Sequence, residues 1–361
     1  MRDEEEKASG QLATSPSSPF SPQPSALSPS RVAVMGAGGW GTALGASAGR
    51  AGHVVRLWSR NAEVVEAINR ERVNSVYLAG HRLEGDVRAT ADAGAALRGA
   101  DLVILAAPSH ATRELLRGVA ADVPARALLV SATKGIEIET GRRVSEIVAD
   151  VLGAAAAARF VCLTGPSFAQ EVAAGQPTAV VAASESDEAA RAVQAALGHA
   201  NLRVYTSADV AGAELGGAVK NVIAVAAGMV SGLGLGANPL AALITRGLAE
   251  IVRLARTQGA QPATLAGLAG LGDLVLTCTG GLSRNRYVGQ ELGRGRKLEE
   301  ILAGMREVAE GVRTTRAVKL LAGRVGVEMP ITEQVYAVLY EGRGAAEAVA
   351  ELMARPPRGE E

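Results

Sequence analysis

Lysine is the scarcest charged residue of this chain: 5 lysines stand against 32 arginines. Aromatic side chains are also few, at 3% of 361 residues, so any core must be built from Ala, Val, Leu and Gly. That packing suits closely spaced helices and parallel sheets. The two cysteines, Cys162 and Cys278, lie far apart in apolar contexts. They fit a reduced compartment and exclude a disulfide framework. The formal net charge is zero and no basic stripe occurs. This argues against nucleic acid or an anionic membrane as the main partner. No uncharged apolar run of membrane-spanning length escapes interruption by glycine, so a stable membrane insertion is not expected. No cluster of side chains has metal-ligand spacing, so no metal is expected. The opening Met1-Arg2-Asp3-Glu4-Glu5-Glu6-Lys7 is acidic with no apolar segment behind it. It is not a secretory signal, and a cytoplasmic location is expected.

Against that background, the lysine in Glu214 to Met229 stands out. The stretch reads ELGGAVKNVIAVAAGM, apolar almost all round, with Lys220 and Asn221 in its middle. A helix apolar on every face is a buried helix. A lysine inside it is costly to ionise, and its pKa falls towards neutrality, where it can exchange a proton. The competing reading is a core lysine that snorkels to the surface.

The length leaves room for more than one domain. Residues 1–30 read as a disordered tail, because Ser15 to Ser30 is mostly Ser and Pro and cannot bury enough surface to order itself. Order begins at Arg31. Val32 to Met35 reads as a strand, followed by Gly36-Ala37-Gly38-Gly39-Trp40-Gly41 and a helix from Thr42. This is G-x-G-x-x-G between a strand and a helix. Gly36 makes the tight turn, Gly38 lets backbone N–H groups approach a pyrophosphate, and Gly41 lets helix and strand pack closely. The next strand, Val54 to Trp58, ends in Ser59-Arg60-Asn61 with no acid for a ribose 2′-hydroxyl. Arg60 there suits a 2′-phosphate, so NADPH is expected to be preferred over NADH; otherwise Arg60 is a solvated loop charge.

Further strands are expected at Asp101 to Ala107, Ala127 to Ala132, Phe160 to Leu163, Thr178 to Ala183 and Arg203 to Tyr205. Strands alternating with helices predict a parallel, doubly wound sheet, an α/β Rossmann-like domain over residues 31–205. Ligands of such sheets sit off the carboxyl ends of the strands. Lys134, Gly165 and Ser167 fall at such ends. His110 does too, but no partner is placed beside it to make it catalytic.

From Thr206 strand signals stop, and residues 206–355 read as an all-α domain that opens with the Lys220 helix. One loop carries chemistry, Gly270 to Arg286. Asp273 stands alone among apolar residues and must be paired, with a lysine as the obvious partner. Ser283-Arg284-Asn285 offers a hydroxyl, a guanidinium and an amide at a helix start, which suits a phosphate. The plainer reading is an N-cap serine beside exposed arginines.

At this point the chain resembles a known family, the NAD(P)-dependent glycerol-3-phosphate dehydrogenases of the bacterial type. The resemblance runs from Val32 to about Leu352. It rests on GAGGWGTAL at Gly36, ATKGIEIETG at Ala132, TGPSFAQEVAAGQPTA at Thr164, LGGAVKNVIAVAAGM at Leu215, ALITRGLAE at Ala242, GLAGLGDLVLTCTGGLSRNR at Gly267, VAEGVRTT at Val308 and GVEMPITEQVY at Gly326. It implies reduction of dihydroxyacetone phosphate to sn-glycerol 3-phosphate with NADPH or NADH, feeding phospholipid synthesis, and often a homodimer. It implies that Lys220 is the proton donor and acceptor, and that Lys134 contacts cofactor and substrate. Gly165, Ser167, Asp273, Ser283, Arg284 and Asn285 would line the substrate site. Gly39, Trp40, Arg60, Ala169, Val308 and Glu310 would touch the cofactor, and Arg284 would touch both. The family's usual serine in the glycine loop is Gly39 here, which removes a hydroxyl near the pyrophosphate. Two alternatives stand beside this reading. One is a reductase of hydroxy or imino acids on the same two-domain plan. The other is a non-enzymatic NADPH-binding regulator, which would need no Lys134, Lys220 or Asp273.

Overall fold

The computed structural model describes residues 30–305, 307–357 and 359. The tail expected over residues 1–30 lies outside the described residues, apart from Ser30. The first half of the chain runs β1 (Arg31–Met35), α1 (Gly39–Arg50), β2 (Val54–Trp58), α2 (Ala62–Glu71), β3 (Val73–Asn74), β4 (Leu78–Arg82), β5 (Asp86–Thr90), α3 (Ala93–Leu97), β6 (Leu102–Leu105), α4 (Thr112–Val119), β7 (Leu128–Ser131), α5 (Val144–Leu152), α6 (Ala154–Ala157), β8 (Phe160–Thr164), α7 (Ala169–Ala173), β9 (Thr178–Ala183), α8 (Asp187–Leu197) and β10 (Leu202–Ser207). The second half is helical: α9 (Val210–Gly232), α10 (Ala237–Thr257), α11 (Pro262–Ala266), α12 (Asp273–Thr279), α13 (Arg284–Gly293), α14 (Leu298–Ala303), α15 (Glu310–Val325), α16 (Pro330–Tyr340) and α17 (Ala345–Met353).

Eight strands form one sheet in the order β10-β9-β8-β7-β6-β1-β2-β5. Central strands such as β6, LVIL, and β8, FVCLT, are buried along their whole length. Strands covered on both faces read as unbroken apolar runs, which is why these were visible in the sequence. β1 pairs in parallel with β2 on one side and β6 on the other. The strand order reverses there, so the crevice for a ligand opens at the carboxyl ends of β1 and β6.

The sheet departs from the expected all-parallel form at one place: β9 runs antiparallel to β8 and parallel to β10. Between β8 and β9 the only helix is the five-residue α7, too short to carry the chain back along the sheet, so it turns and re-enters from the same end. β3, β4 and β5 were not expected either. β5 is a half-exposed edge strand, Asp86-Val87-Arg88-Ala89-Thr90, whose charges hide its alternation.

In the helical half, most expected helices are present with shifted ends. The exception is Gly270 to Arg286, expected as a loop. Leu268–Gly272 forms a π turn that runs into α12. Gly270 makes that turn possible, since a Cβ there would come within 2.1 Å of the Leu265 carbonyl oxygen. Asp273 therefore projects from a helix.

α9 is the axis of the molecule. Of its residues from Gly212 to Val230, all are buried, including Lys220 and Asn221 at 5% exposure each. By length and composition this helix is apolar enough to cross a membrane, but 89% of its apolar window is covered by the protein itself. α13 lies directly on it through glycines of both helices. A Cβ at Gly228 would stand 2.0 Å from the Arg286 carbonyl oxygen, and one at Gly289 would stand 1.9 Å from that of Val225. Backbone-to-backbone approach of this kind needs glycine at both faces.

α9 also ties the halves together. Its Glu214 carboxylate accepts from the Ser145 backbone N–H at 2.8 Å, the Ser145 hydroxyl at 2.6 Å and the Arg143 guanidinium at 3.2 Å. Those donors stand at the start of α5, where a helix favours a negative charge.

Candidate active site

A cleft of 870 Å³ opens where the sheet's switch point meets the helical half. Gly36, Gly38, Gly39, Trp40, Arg60, Lys134, Ser167, Ala169, Lys220, Ser283, Arg284, Asn285, Val308 and Glu310 all line it. Gly41, Gly165 and Asp273 are buried just behind the lining. Chain segments far apart in sequence are thus brought to one surface, as the motifs required.

The glycine turn is built as expected. Gly36 sits at φ +126° and a Cβ there would meet the Ala106 carbonyl oxygen at 2.9 Å. Gly41 packs onto Gly36, with 1.8 Å between its ideal Cβ and the Gly36 oxygen. α1 has no acidic residue in its first turn and no side chain capping its N-terminus from Gly38. Its positive end is therefore free for an anion. An anionic oxygen does stand there: Oε1 of Glu307 accepts from the Gly39 N–H at 3.3 Å. The turn thus fits the phosphates of a dinucleotide. Trp40, which lines the cleft, has a buried indole N–H without a partner among the described residues. Arg60 is exposed at the rim, after β2.

The floor of the cleft is a three-residue ionic chain. Asp273, 1% exposed, bridges two lysines. Lys134 donates to its Oδ2 at 2.7 Å, and Lys220 makes a very short contact with its Oδ1. Lys134 also donates to the Gly165 carbonyl oxygen at 3.0 Å, which accounts for Gly165 at the site. Lys220 donates in addition to the Thr277 hydroxyl at 2.7 Å. That hydroxyl gives its own proton to the Asp273 carbonyl oxygen at 2.6 Å, so its lone pair is aimed at Lys220. Thr277 was missed in the sequence because its role depends on α12, where it follows Asp273 by one helical turn. Burial pushes the Lys220 ammonium down from 10.5 to about 7; Asp273 opposes the shift and Lys134 adds to it. The neighbouring Cys278 thiol is pushed up to about 12 by burial and stays protonated.

The Ser283-Arg284-Asn285 run divides its work. The Ser283 hydroxyl caps α13 by accepting from the Arg286 N–H at 3.2 Å. The Asn285 amide donates to the Asn221 side-chain oxygen at 2.9 Å and accepts from the Gly311 N–H at 2.8 Å. The N-cap serine of the plainer reading is therefore present in the structure, and Asn285 joins α13 to α9 and α15. Arg284 keeps a half-exposed guanidinium in the cleft, 2.9 Å from Glu307. Glu310 reaches the other domain, accepting from the Ser109 hydroxyl at 2.6 Å. His110 lies outside the lining of the cleft, and burial beside Arg313 holds its pKa below the ordinary value.

An anion-receptive turn at the switch point of a Rossmann-type sheet, facing a buried lysine from a helical second half, places the chain in a class: the two-domain nicotinamide-linked oxidoreductases. The comparisons narrow the class. The family model described as NAD-dependent glycerol-3-phosphate dehydrogenase N-terminus matches residues 31–190, and that of the C-terminus matches residues 209–350. The chain belongs to the NAD-dependent glycerol-3-phosphate dehydrogenase family. It is 52% identical over 329 residues to a curated glycerol-3-phosphate dehydrogenase (NAD(P)+) of Koribacter versatilis, covering 91% of this chain and 98% of that one. Its structure resembles the crystal structure of glycerol-3-phosphate dehydrogenase from Coxiella burnetii, with a TM-score of 0.87 and 40% identity over 91% of this chain and 99% of that one. A ketopantoate reductase of Ralstonia eutropha, over 88% of this chain and 99% of that one, reaches a TM-score of 0.57 at 19% identity, which is likeness of fold alone.

Proposed function

We propose that this chain catalyses the reversible reduction of dihydroxyacetone phosphate to sn-glycerol 3-phosphate with NAD(P)H, as a cytoplasmic homodimer supplying glycerophospholipid synthesis. The observation that carries the reading is the Lys134–Asp273–Lys220 chain at the floor of the cleft. The kinship with named glycerol-3-phosphate dehydrogenases supplies the substrate.

When bound, a reduced nicotinamide supplies the hydride. The protein's own task is to meet the oxyanion that develops on the substrate carbonyl. Lys220, poised near neutrality, gives its proton to that oxygen, and general acid catalysis of this kind contributes about 10²–10⁴-fold. Asp273 and Thr277 hold the Lys220 amine in place. Lys134 keeps a second positive charge beside the same oxygen, in a site where water is largely replaced by protein. Arg284 grips the substrate phosphate, fixing a small molecule by its non-reacting end. Gly38, Gly39 and Trp40 would hold the dinucleotide's phosphates, and Ala169, Val308 and Glu310 would touch the cofactor elsewhere along the cleft. Arg60 would take the 2′-phosphate of NADPH.

The test is a spectrophotometric assay following the reduced nicotinamide, with dihydroxyacetone phosphate set against a panel of keto acids. Turnover of the phosphate ester and not of the keto acids is expected, and Lys220→Ala lowers kcat by at least about 100-fold with NADPH affinity kept. Preferential turnover of a keto acid, or a Lys220→Ala variant with most of its kcat, would overturn the assignment. In the same assay Arg60→Ala reduces the preference for NADPH over NADH. Equal losses for both cofactors would remove Arg60 from the 2′-phosphate.

A further inference from the structure

We propose that Glu307 is a built-in competitor for the cofactor, its carboxylate occupying the pyrophosphate position of the glycine turn until the dinucleotide displaces it. The proposal rests on the reading of that turn as the cofactor's phosphate site.

Three observations converge on this side chain. Oε1 of Glu307 accepts from the Gly39 N–H at 3.3 Å, at the positive end of α1. Its other oxygen, Oε2, pairs with Arg284 at 2.9 Å, the guanidinium assigned to anions of cofactor and substrate. The two contacts together are the partners a bound phosphate would have. The third observation is the residue beneath it. A Cβ at Gly39 would stand 2.8 Å from Oε1, closer than such atoms approach. The serine usual in this family would crowd the carboxylate, whereas glycine leaves it room. Gly39 and Glu307, 268 residues apart, are thus in direct contact.

The chemistry makes the two states exclusive. A carboxylate and a pyrophosphate cannot share one helix N-terminus, since both are anions seeking the same N–H groups. The hold is also weak enough to be reversible. It consists of one long amide hydrogen bond and one ion pair whose side chains are 47% and 28% exposed. Exposed pairs of this kind are worth little. A plug held this lightly lowers the apparent cofactor affinity by no more than about fivefold. Binding of the dinucleotide also frees Arg284 from its carboxylate partner.

The experiment is a fluorescence titration of the full chain with NADPH, with inorganic pyrophosphate and with nicotinamide riboside, which carries no phosphate. For Glu307→Gln the Kd of NADPH and that of pyrophosphate should each fall by up to about fivefold, with that of the riboside unchanged. In a Gly39→Ala background, where the added Cβ crowds the carboxylate, Glu307→Gln should have a smaller effect. Unchanged or weaker NADPH binding in Glu307→Gln overturns the proposal, as does an equal gain for the riboside. The site reading is checked separately by the wild-type protein. Pyrophosphate that fails to compete with NADPH there removes the turn from the phosphate site, and the proposal with it. Competition together with an inert Glu307→Gln removes the proposal alone.

Discussion

Lys220 owes its behaviour to its neighbours. Burial alone would favour the neutral amine, and the Asp273 contact keeps the charged form accessible, leaving the group at about 7. This sets the sign of the pH dependence in each direction of the reaction. Ketone reduction uses the protonated amine as acid, so kcat/KM is steady below about pH 7 and falls as pH rises through that value. Alcohol oxidation uses the neutral amine as base, so its kcat/KM rises through the same value. Initial-rate profiles measured in both directions check this, and parallel slopes would show that another group carries the proton. Removing the acceptor that aims Lys220, in Thr277→Val, should lower kcat and leave the Kd of NADPH unchanged.

At the scale of elements, the site depends on how closely α13 lies on α9. Gly228 and Gly289 let the two backbones touch, and that contact brings the start of α13, with Ser283, Arg284 and Asn285, over Lys220 and Asn221. Gly289→Ala would force the helices apart. Overpacking of this kind costs about 1–3 kcal/mol, and the displaced Arg284 should raise the substrate KM. A urea titration and a KM measurement read the two effects. Gly281→Ala is the control, since nothing lies within 4 Å of a Cβ at Gly281 and both quantities should stay at the wild-type level.

For the whole molecule, the question is what holds a cofactor half against a catalytic half. Glu214 is one buried hook, since its carboxylate satisfies the Ser145 N–H, the Ser145 hydroxyl and Arg143 across the boundary. In Glu214→Ala those partly buried donors lose this acceptor, while Arg143 keeps Glu146. The expected cost is about 1–3 kcal/mol. The urea midpoint should fall with its slope preserved, because both halves share α9 and unfold together. An unchanged midpoint would mean that the other contacts between the halves, among them Lys134–Asp273 and Ser109–Glu310, carry the join.

The sequence by itself determined whatever depends on neighbouring residues or on composition. The glycine turn is a run of six residues between a strand and a helix, and its geometry follows from φ and from the missing Cβ atoms. The central strands show as apolar runs because they are covered on both faces. Lys220 is conspicuous because the chain writes almost all its other positive charge as arginine. Only the tertiary structure decided what depends on segments meeting in space. It made a helix of the glycine-rich stretch at Asp273, turned β9 against β8, and joined both lysines to one carboxylate. It bonded Asn285 to Asn221 and set Glu307 on Gly39, which no local pattern signals. The reason is physical: a buried charge takes its pKa and its partners from whatever the fold places within a few ångströms, and sequence spacing carries no record of that distance.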